Sequence, residues 1–380
     1  MTSQGGGGYR ASRAGRTVEI MTVLLDRPPA RLAPILIGPN WFATVMGTGI
    51  VATAAASLPL HVPGLRTLAT VVWALASVLL VVLVTAAVRH RAAYAGDAVS
   101  EQFWGAPPMA LLTVGAGTLL LGRDWLGEPV AVAIDLVLWT AGTLLGLAVA
   151  VVVPYRLRTR HRPGPGTAFG GRLMPVVSPM VSAATGALLV PHVPAPVDLL
   201  VACYAMAGAS LVAAVLVFGQ IWRRLVRYGP GAPRTVPTLW IVLGPIGQSV
   251  TAAHLLGRAA EGVLSEPYVT AAQAGAVLYG VPALGLALAW AAVAATITVR
   301  TARAGLPFSL AWWSFTFPVG TVVTGAAGLA TRTGSALPAT LAVVLYATLL
   351  ATWSVVAVRT VRAARRYGLL RPAAAAPDPG

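Results

Sequence analysis

Apolar runs, each roughly the 20 residues that an α-helix needs to cross the hydrocarbon core of a bilayer, recur along the whole chain. Short polar or arginine-bearing stretches separate them. The clearest runs are 68–88 and 338–358. The pattern predicts an all-α integral membrane protein with ten transmembrane helices, at 41–59, 67–88, 106–121, 130–153, 173–191, 197–219, 237–256, 270–298, 310–330 and 338–358.

The composition supports this prediction. Of the 380 residues, 57% are hydrophobic and only 10% are charged, whereas a soluble domain carries about 25% charged residues. The mean hydropathy is +0.77. A polytopic membrane protein in contact with the lipid bilayer is therefore expected.

Charge alternates between the predicted loops. The loops after the even-numbered helices carry arginines, and those after the odd-numbered helices are poor in arginine and carry the carboxylates Asp124, Glu128, Asp198, Glu261 and Glu266. Because basic residues in short loops mark the cytoplasmic side, we expect both termini to be cytoplasmic and the protein to lie in the cell membrane. The net charge of +16, which comes entirely from arginine, is explained by topology, so no nucleic acid partner is predicted.

The chain is expected to divide into three parts. Residues 1–35 are glycine-rich and basic, which favours a disordered cytoplasmic tail without a signal peptide. Residues 36–360 form the ten-helix transport or channel domain, and residues 361–380 form a cytoplasmic C-terminal tail.

The odd-numbered helices share a repeat. A proline is followed six residues later by a threonine in three of them, as Pro179/Thr185, Pro245/Thr251 and Pro318/Thr324. A looser copy places Thr113 five residues after Pro108. Successive copies of this motif are separated by about the length of one helical hairpin. This spacing indicates five tandem hairpins, an internal repetition that is typical of transport proteins.

The prolines suggest a purpose for the repeat. A proline in mid-helix deprives the carbonyl four residues earlier of its donor, here Ser314 for Pro318 and Ile241 for Pro245. Such breaks are tolerated where the backbone meets protein or a water-filled cavity. The odd helices are therefore predicted to line a central pore, with the even helices outside them. The alternative is that these small residues only allow close helix packing.

Two motifs resemble a known family. "NWFATVMGTGIVATA" in the first helix and "WWSFTFPVG" in the ninth are similar to the tellurite-resistance/dicarboxylate transporter family, which includes bacterial TehA, malate permeases, sulfite efflux pumps and slow-type anion channels of plants. The resemblance implies five hairpins in quasi-fivefold symmetry, a homotrimer with one pore per protomer, and a phenylalanine gate. The gate would be Phe317, or Phe315 if the register differs.

The expected substrate is a small anion: a C4-dicarboxylate such as malate, an oxyanion such as tellurite or sulfite, or an inorganic anion. An anion path needs hydrogen-bond donors and no buried carboxylates, so threonine hydroxyls and glycine backbone are candidates, although each hydroxyl has the alternative of bonding to its own helix. The predicted pore-lining residues are Gly47, Thr48, Gly49, Pro108, Pro179, Thr185, Pro245, Gln248, Thr251, Pro318 and Thr324.

A second mechanism stays open at this point. A proton-coupled permease or efflux carrier that works by alternating access would use ionisable groups within the spans, and His254 and Asp135 are the candidates. No GxSxG or HExxH motif is present, and the single cysteine, Cys203, allows no cysteine metal cluster. We therefore expect neither an enzyme nor a cofactor or metal site.

Overall fold

The computed structural model describes residues 38–60, 62–89, 101–161 and 164–366. The predicted N-terminal tail and residues 367–380 of the predicted C-terminal tail lie outside these ranges. The described residues contain helices and turns and no β-strand. Ten α-helices of at least twelve residues follow one another, here named α1 to α10.

The ten helices occupy the predicted positions with different ends. They are α1 Phe42–Ser57, α2 Leu65–Arg89, α3 Ala106–Gly117, α4 Glu128–Arg156, α5 Leu173–Leu189, α6 Pro196–Tyr228, α7 Leu243–Ala259, α8 Tyr268–Arg303, α9 Phe317–Thr333 and α10 Ala336–Arg366. A π-helical segment, Thr118–Gly122, and a single turn, Arg123–Leu126, extend α3.

The even helices are longer than predicted. Helix α6 ends at Tyr228 instead of 219, and α10 continues to Arg366, so residues 361–366 of the predicted tail are helical. The apolar run ends earlier than the helix, because the last turns carry arginines that hydropathy counts against a span. Every even helix has at least one arginine in its last turn.

Within the described ranges, eight helical segments are long and apolar enough to cross a membrane. Five are the even helices, and three contain α3, α5 and α7 together with the helical turns that adjoin them. Helices α1 and α9 have 16 and 17 residues, which makes them short for a span by themselves.

Odd and even helices differ in burial. In the most apolar window of each even helix 22–28% of the residues are buried, against 72–89% for the spans of α3, α5 and α7. In α1 every residue from Phe42 to Ala55 is buried, and in α9 every residue from Phe317 to Ala330. The even helices expose Val78, Val137 and Leu278 among many other apolar side chains. A surface this apolar suits lipid, and the odd helices form the inner layer.

The odd helices close into a ring. Each contacts the next, α1 with α3, α3 with α5, α5 with α7, α7 with α9, and α9 again with α1. Each even helix packs against the odd helix before it.

The starts of odd helices meet the ends of even ones, since Trp240 Nε1 donates to Thr298 Oγ1 at 3.0 Å and Trp313 Nε1 to Thr360 Oγ1 at 3.1 Å. We call this end of the ring the arginine-rich end, and the other the opposite end.

Each odd helix begins in the same way. A 3-10 segment leads directly, or across one residue, into the α-helix, and these segments are Pro39–Trp41, Phe103–Gly105, Gly170–Arg172, Pro233–Val242 and Leu310–Phe315. Consequently Pro108, Pro245 and Pro318 lie in the first turn of their α-helices, where proline removes no helical hydrogen bond. The expected mid-helix break holds only for Pro179, inside α5.

Small residues allow the ring to close tightly. A Cβ atom added at Gly247 of α7 would lie 2.6 Å from the carbonyl carbon of Thr321 in α9. Because backbone cannot move aside as a flexible side chain can, the two helices touch at this glycine.

We expect Gly247→Ala to destabilise the protein by about 1–3 kcal/mol, because the methyl group forces α7 and α9 apart. The matched control is Gly285→Ala in α8, where an added Cβ meets nothing within 4 Å and alanine favours the helix by about 1 kcal/mol. Thermal unfolding in detergent measures both. Equal effects of the two substitutions would contradict the close contact.

Candidate functional site

A cavity of about 240 Å³ lies inside the ring. Its lining residues come from α1, α3, α5, α7 and α9 and the turn after α3, and from no even helix. On each helix they recur every three or four residues, as in Gln248, Thr251, Leu255 and Arg258 of α7, so one face of each odd helix points inward. We call this the outer cavity, since it lies toward the opposite end of the ring.

The threonines of the sequence repeat meet in the outer cavity. Thr113, Thr185, Thr251 and Thr324 all line it. The Oγ1 atoms of Thr251 and Thr324 lie 2.7 Å apart and share a hydrogen bond. The repeat therefore places one hydroxyl-bearing residue from each of four helices on a common surface.

These hydroxyls are already engaged with backbone. Thr113 donates to Met109 O at 2.7 Å and Thr185 to Val181 O at 3.0 Å. Thr324 lies 3.0 Å from Thr321 O and is oriented to donate to it. A hydroxyl that donates to its own helix has no proton left for a ligand. These threonines therefore follow the alternative stated above, in which the hydroxyl bonds to its own helix and not to an anion.

Other side chains supply free donors. The amide of Gln248 is buried, lines the outer cavity and has no hydrogen-bond partner among the described residues. His254 lines the cavity one to two turns further along α7, with its ring packed against Gly328 of α9. An amide and an imidazole can both donate to an anion.

Arg258 places a positive charge at the mouth of the outer cavity. It is exposed, and it has no ion pair among the described residues. The nearby carboxylate of Glu261 instead pairs with Arg332, Oε1 to Nη2 at 3.0 Å, and accepts from Gln273 Nε2 at 2.6 Å. Sequence reasoning missed Arg258 because it counted arginines by loop; the clue was its position seven residues after Thr251, on the same helix face.

A second cavity lies on the side of the arginine-rich end. It has a volume of only about 30 Å³, space for few water molecules. Its lining is almost entirely apolar and includes Met46, Met109, Met174 and Pro318, with Ser314 the one hydroxyl among the lining residues. We call it the inner cavity. Such a surface does not hold water or an ion well.

Phe317 separates the two cavities. It is the one described residue that lines both, and it is 4% exposed. Phe315 lines neither cavity. Its ring instead makes edge contacts with Trp240 at 5.6 Å and Trp312 at 5.7 Å between centroids. The two rings therefore have different surroundings, as expected for residues two apart.

Several predicted lining residues face neighbouring helices instead. Thr48 accepts a hydrogen bond from Trp353 Nε1 of α10 at 3.1 Å. A Cβ atom at Gly47 would collide with Trp313 and Thr316, and one at Gly49 with Thr113. None of the three lines a cavity, whereas Thr53 of the same helix does. The repeat lacked a proline in α1, so the register of that helix was not fixed.

Only some of the predicted prolines and ionisable residues line one of the two cavities. Pro245 and Pro318 line the inner cavity, whereas Pro108 and Pro179 line neither. Pro108 contacts Gly142 and Gly146 of α4. Asp135 of α4 is fully buried against Gly115 of α3, outside both cavities, and neither carboxylate oxygen has a hydrogen-bond partner among the described residues. In the described part of the chain no three His, Cys, Asp or Glu residues are grouped to hold a metal ion.

Comparison with known proteins supports a role in transport. A family model described as the SLAC1 voltage-dependent anion channel matches residues 37–361. The chain belongs to this family. The resemblance seen in the motifs of the first and ninth helices is thereby confirmed. The family is made up of channels and transporters, and it indicates that this member moves anions across a membrane.

Individual relatives are distant and cover most of the chain. The sulfite efflux pump SSU1 of Arthroderma otae is 26% identical over 308 residues, 75% of this chain and 80% of that protein. The sulfite efflux pump SSU1 of Trichophyton rubrum is 27% identical over 305 residues, with 75% and 80% coverage. An uncharacterized transporter of Methanocaldococcus jannaschii is 23% identical over 290 residues, with 75% and 81% coverage.

The separation of the cavities is testable by thiol labelling, because Cys203 is fully buried and contributes little background. We expect Thr324→Cys in the outer cavity to react with a small methanethiosulfonate when the protein is solubilised in detergent. Met46→Cys in the inner cavity should react at least about tenfold more slowly, and adding Phe317→Ala should remove the difference. Mass spectrometry measures the labelling, and equal rates in the two single variants would contradict a closed partition.

Proposed function

We propose that the protein conducts small anions across the cell membrane through a path between the five odd helices, closed by the ring of Phe317. The observation that carries this proposal is that Phe317 lines both the outer and the inner cavity. Removing one side chain would therefore join a polar cavity to an apolar one. A ring closes such a path by steric block and by excluding water.

The chemistry of the lining favours anions. Among the described residues that line the two cavities there is no carboxylate. Arg258 and the free amide of Gln248 lie along the outer cavity, and the edge of an aromatic ring carries partial positive charge toward an ion that passes it. A positive residue at a mouth with low-dielectric walls raises the local anion concentration.

The proposed topology uses all ten helices. With its 3-10 segment α1 runs from Pro39 to Ser57, and α9 with its own runs from Leu310 to Thr333. Both lengths then suffice for a span. The arginine-rich end would be cytoplasmic, giving five hairpins in quasi-fivefold arrangement. A homotrimer, which the family resemblance implies, stays a prediction that native mass spectrometry can check.

For the substrate, an oxyanion such as sulfite is the first candidate, because two relatives carry the name sulfite efflux pump. Tellurite, malate and inorganic anions are the other candidates. Purified protein in proteoliposomes should move labelled sulfite faster than empty liposomes do, and nitrate, chloride and malate tested in parallel would rank the selectivity. If none of these anions crosses faster than in empty liposomes, the proposed function is wrong.

Phe317→Ala tests the gate. We expect it to raise passive anion flux about tenfold or more, which corresponds to a barrier lower by about 1.4 kcal/mol, because the outer and inner cavities merge. Anion flux into proteoliposomes at matched protein content provides the measurement.

The matched control is Phe315→Ala, which removes an equal ring two residues away that packs against Trp240 and Trp312. It should lower stability without raising flux. Size-exclusion chromatography and thermal unfolding show whether both variants are folded. A flux that rises only in Phe315→Ala would transfer the gate to that residue.

Arg258 is expected to recruit anions. Replacing it by glutamine should raise the half-saturating concentration of a monovalent anion about fivefold, since two unit charges at contact distance in water attract each other by about 1 kcal/mol, and the effect should shrink at high salt. Arg258→Lys retains the charge and should behave like the native protein. Transport kinetics measure all three, and equal losses in both variants would point to a structural role.

Proton-coupled transport is the second candidate, and the placement of His254 in the outer cavity favours it. It predicts that flux requires an imposed pH gradient and that His254→Gln abolishes this requirement. Asp135, which lies outside both cavities, should then matter only if protons use a separate route. Flux that is indifferent to the gradient rules coupling out and leaves the passive path.

A further inference from the structure

A separate cavity lies at the arginine-rich end, outside the proposed anion path. Its volume is about 370 Å³, and none of its lining residues lines the outer or inner cavity. Four arginines border it: Arg172, Arg223, Arg224 and Arg227. We call this the basic pocket. No carboxylate is among its described lining residues.

The helical spacing brings the arginines together. Gln220, Arg223, Arg224 and Arg227 recur at intervals of three, one and three residues along α6, so they share one face of the helix. Arg172 comes from the 3-10 segment before α5 and joins them through a hydrogen bond from its Nη1 to Gln220 Oε1 at 3.1 Å. The pocket is therefore built where α5 begins and α6 ends.

Arg224 is held by neutral groups, and it has no ion pair among the described residues. It is 4% exposed. Its Nε donates to Gly166 O at 3.2 Å and its Nη1 to Pro230 O at 3.2 Å, and the guanidinium lies 4.2 Å from the centroid of Phe169. All these partners are neutral, so a buried cation lines the pocket and has no counter-charge among the described residues.

Arg172 shows the same deficiency. Its Nη2 donates to Thr167 Oγ1 at 3.0 Å, again a neutral partner. Its Nε is buried and has no hydrogen-bond partner in the part of the chain that the structure describes. Leaving a buried charged donor unpaired is costly. Arg223 and Arg227 add two exposed guanidinium groups that have no ion pair among the described residues.

We propose that the basic pocket binds a phosphate group, either that of an anionic lipid headgroup or free phosphate. Guanidinium forks match phosphate oxygens in geometry, and several around one site suit an anionic group with several oxygens better than a single-atom ion such as chloride. On the same last turns of α6, Trp222, Val226 and Tyr228 are exposed. Aromatic and apolar side chains beside a basic pocket suit the bilayer interface, where lipid phosphates lie.

A phosphate bound in the basic pocket would stabilise the folded protein and the contact between α5 and α6. It would not lie in the transport path. A bound phosphate would link arginines from both helices and hold the start of α5 against the end of α6. This inference does not depend on the proposed anion path, because the two regions share no residue.

The test uses the full-length protein in nanodiscs of phosphatidylcholine alone and of phosphatidylcholine with phosphatidylglycerol, and separately with inorganic phosphate added to the first. We expect phosphatidylglycerol or inorganic phosphate to raise the thermal unfolding midpoint in a saturable way. Native mass spectrometry should show retained phosphatidylglycerol if the headgroup is the ligand. Stabilisation by inorganic phosphate without retained lipid would assign the pocket to free phosphate.

The variant is the double substitution Arg223→Gln and Arg227→Gln, which removes two exposed groups and spares the buried Arg224. It should raise the half-saturating concentration of the stabilising probe by about tenfold or more. The matched control is Arg300→Gln with Arg303→Gln, two exposed arginines at the same end on α8 that do not line the pocket. Absence of stabilisation by either probe, or equal loss in both double variants, would overturn the proposal. Anion flux is measured in parallel, and its presence or absence bears only on the transport path.

Discussion

Hydrocarbon offers no hydrogen bonds, and the arrangement of this chain follows from that constraint. Polar side chains in the spans must face protein or a cavity, so helices with many small and polar residues lie inside, and helices that present mostly apolar side chains lie outside. The odd helices carry Thr185, Gln248 and Thr324, and they form the buried ring. The even helices present valine and leucine outward. Small residues such as Gly247 then let the inner helices approach until backbones touch.

The outer layer also positions Phe317, the residue between the two cavities, through contacts with the segment that precedes it. The 3-10 segment before α9 is bound to α10, through Trp313 Nε1 and Thr360 Oγ1 at 3.1 Å and through Arg359 stacked 4.6 Å from the centroid of Trp312. The ring of Phe315 is enclosed by tryptophans on two sides. These contacts fix the backbone just before Phe317. The aromatic cluster that makes this span unusual in sequence thus holds the segment in place by packing. The ring of Phe317 is the one that lines both cavities.

Much of the site was predictable in outline. The spacing of proline and threonine identified four helices whose threonines do meet in the outer cavity. Their chemistry was less predictable, because a hydroxyl in a helix can always turn to the carbonyl four residues back, and Thr113 and Thr185 do so. Arg258 lies near a helix end and Thr48 lies in a helix without the repeat's proline, so the repeat fixed the orientation of neither side chain. Which way a residue near a helix end or in a proline-free helix points is decided by packing against neighbours such as Trp353.

The sequence by itself determined the all-helical membrane character, the alternation of two kinds of helix, and the family. These properties reside in composition and in periods of a few residues, which act locally and survive any detail of packing. Only the tertiary structure decided that the odd helices close a ring, that Phe317 and not Phe315 lies between the cavities, and that four arginines without carboxylates share one pocket. Each of these depends on which helix faces rotate toward one another. Rotation is set by close contacts between residues distant in sequence, and a single chain read linearly does not contain those contacts.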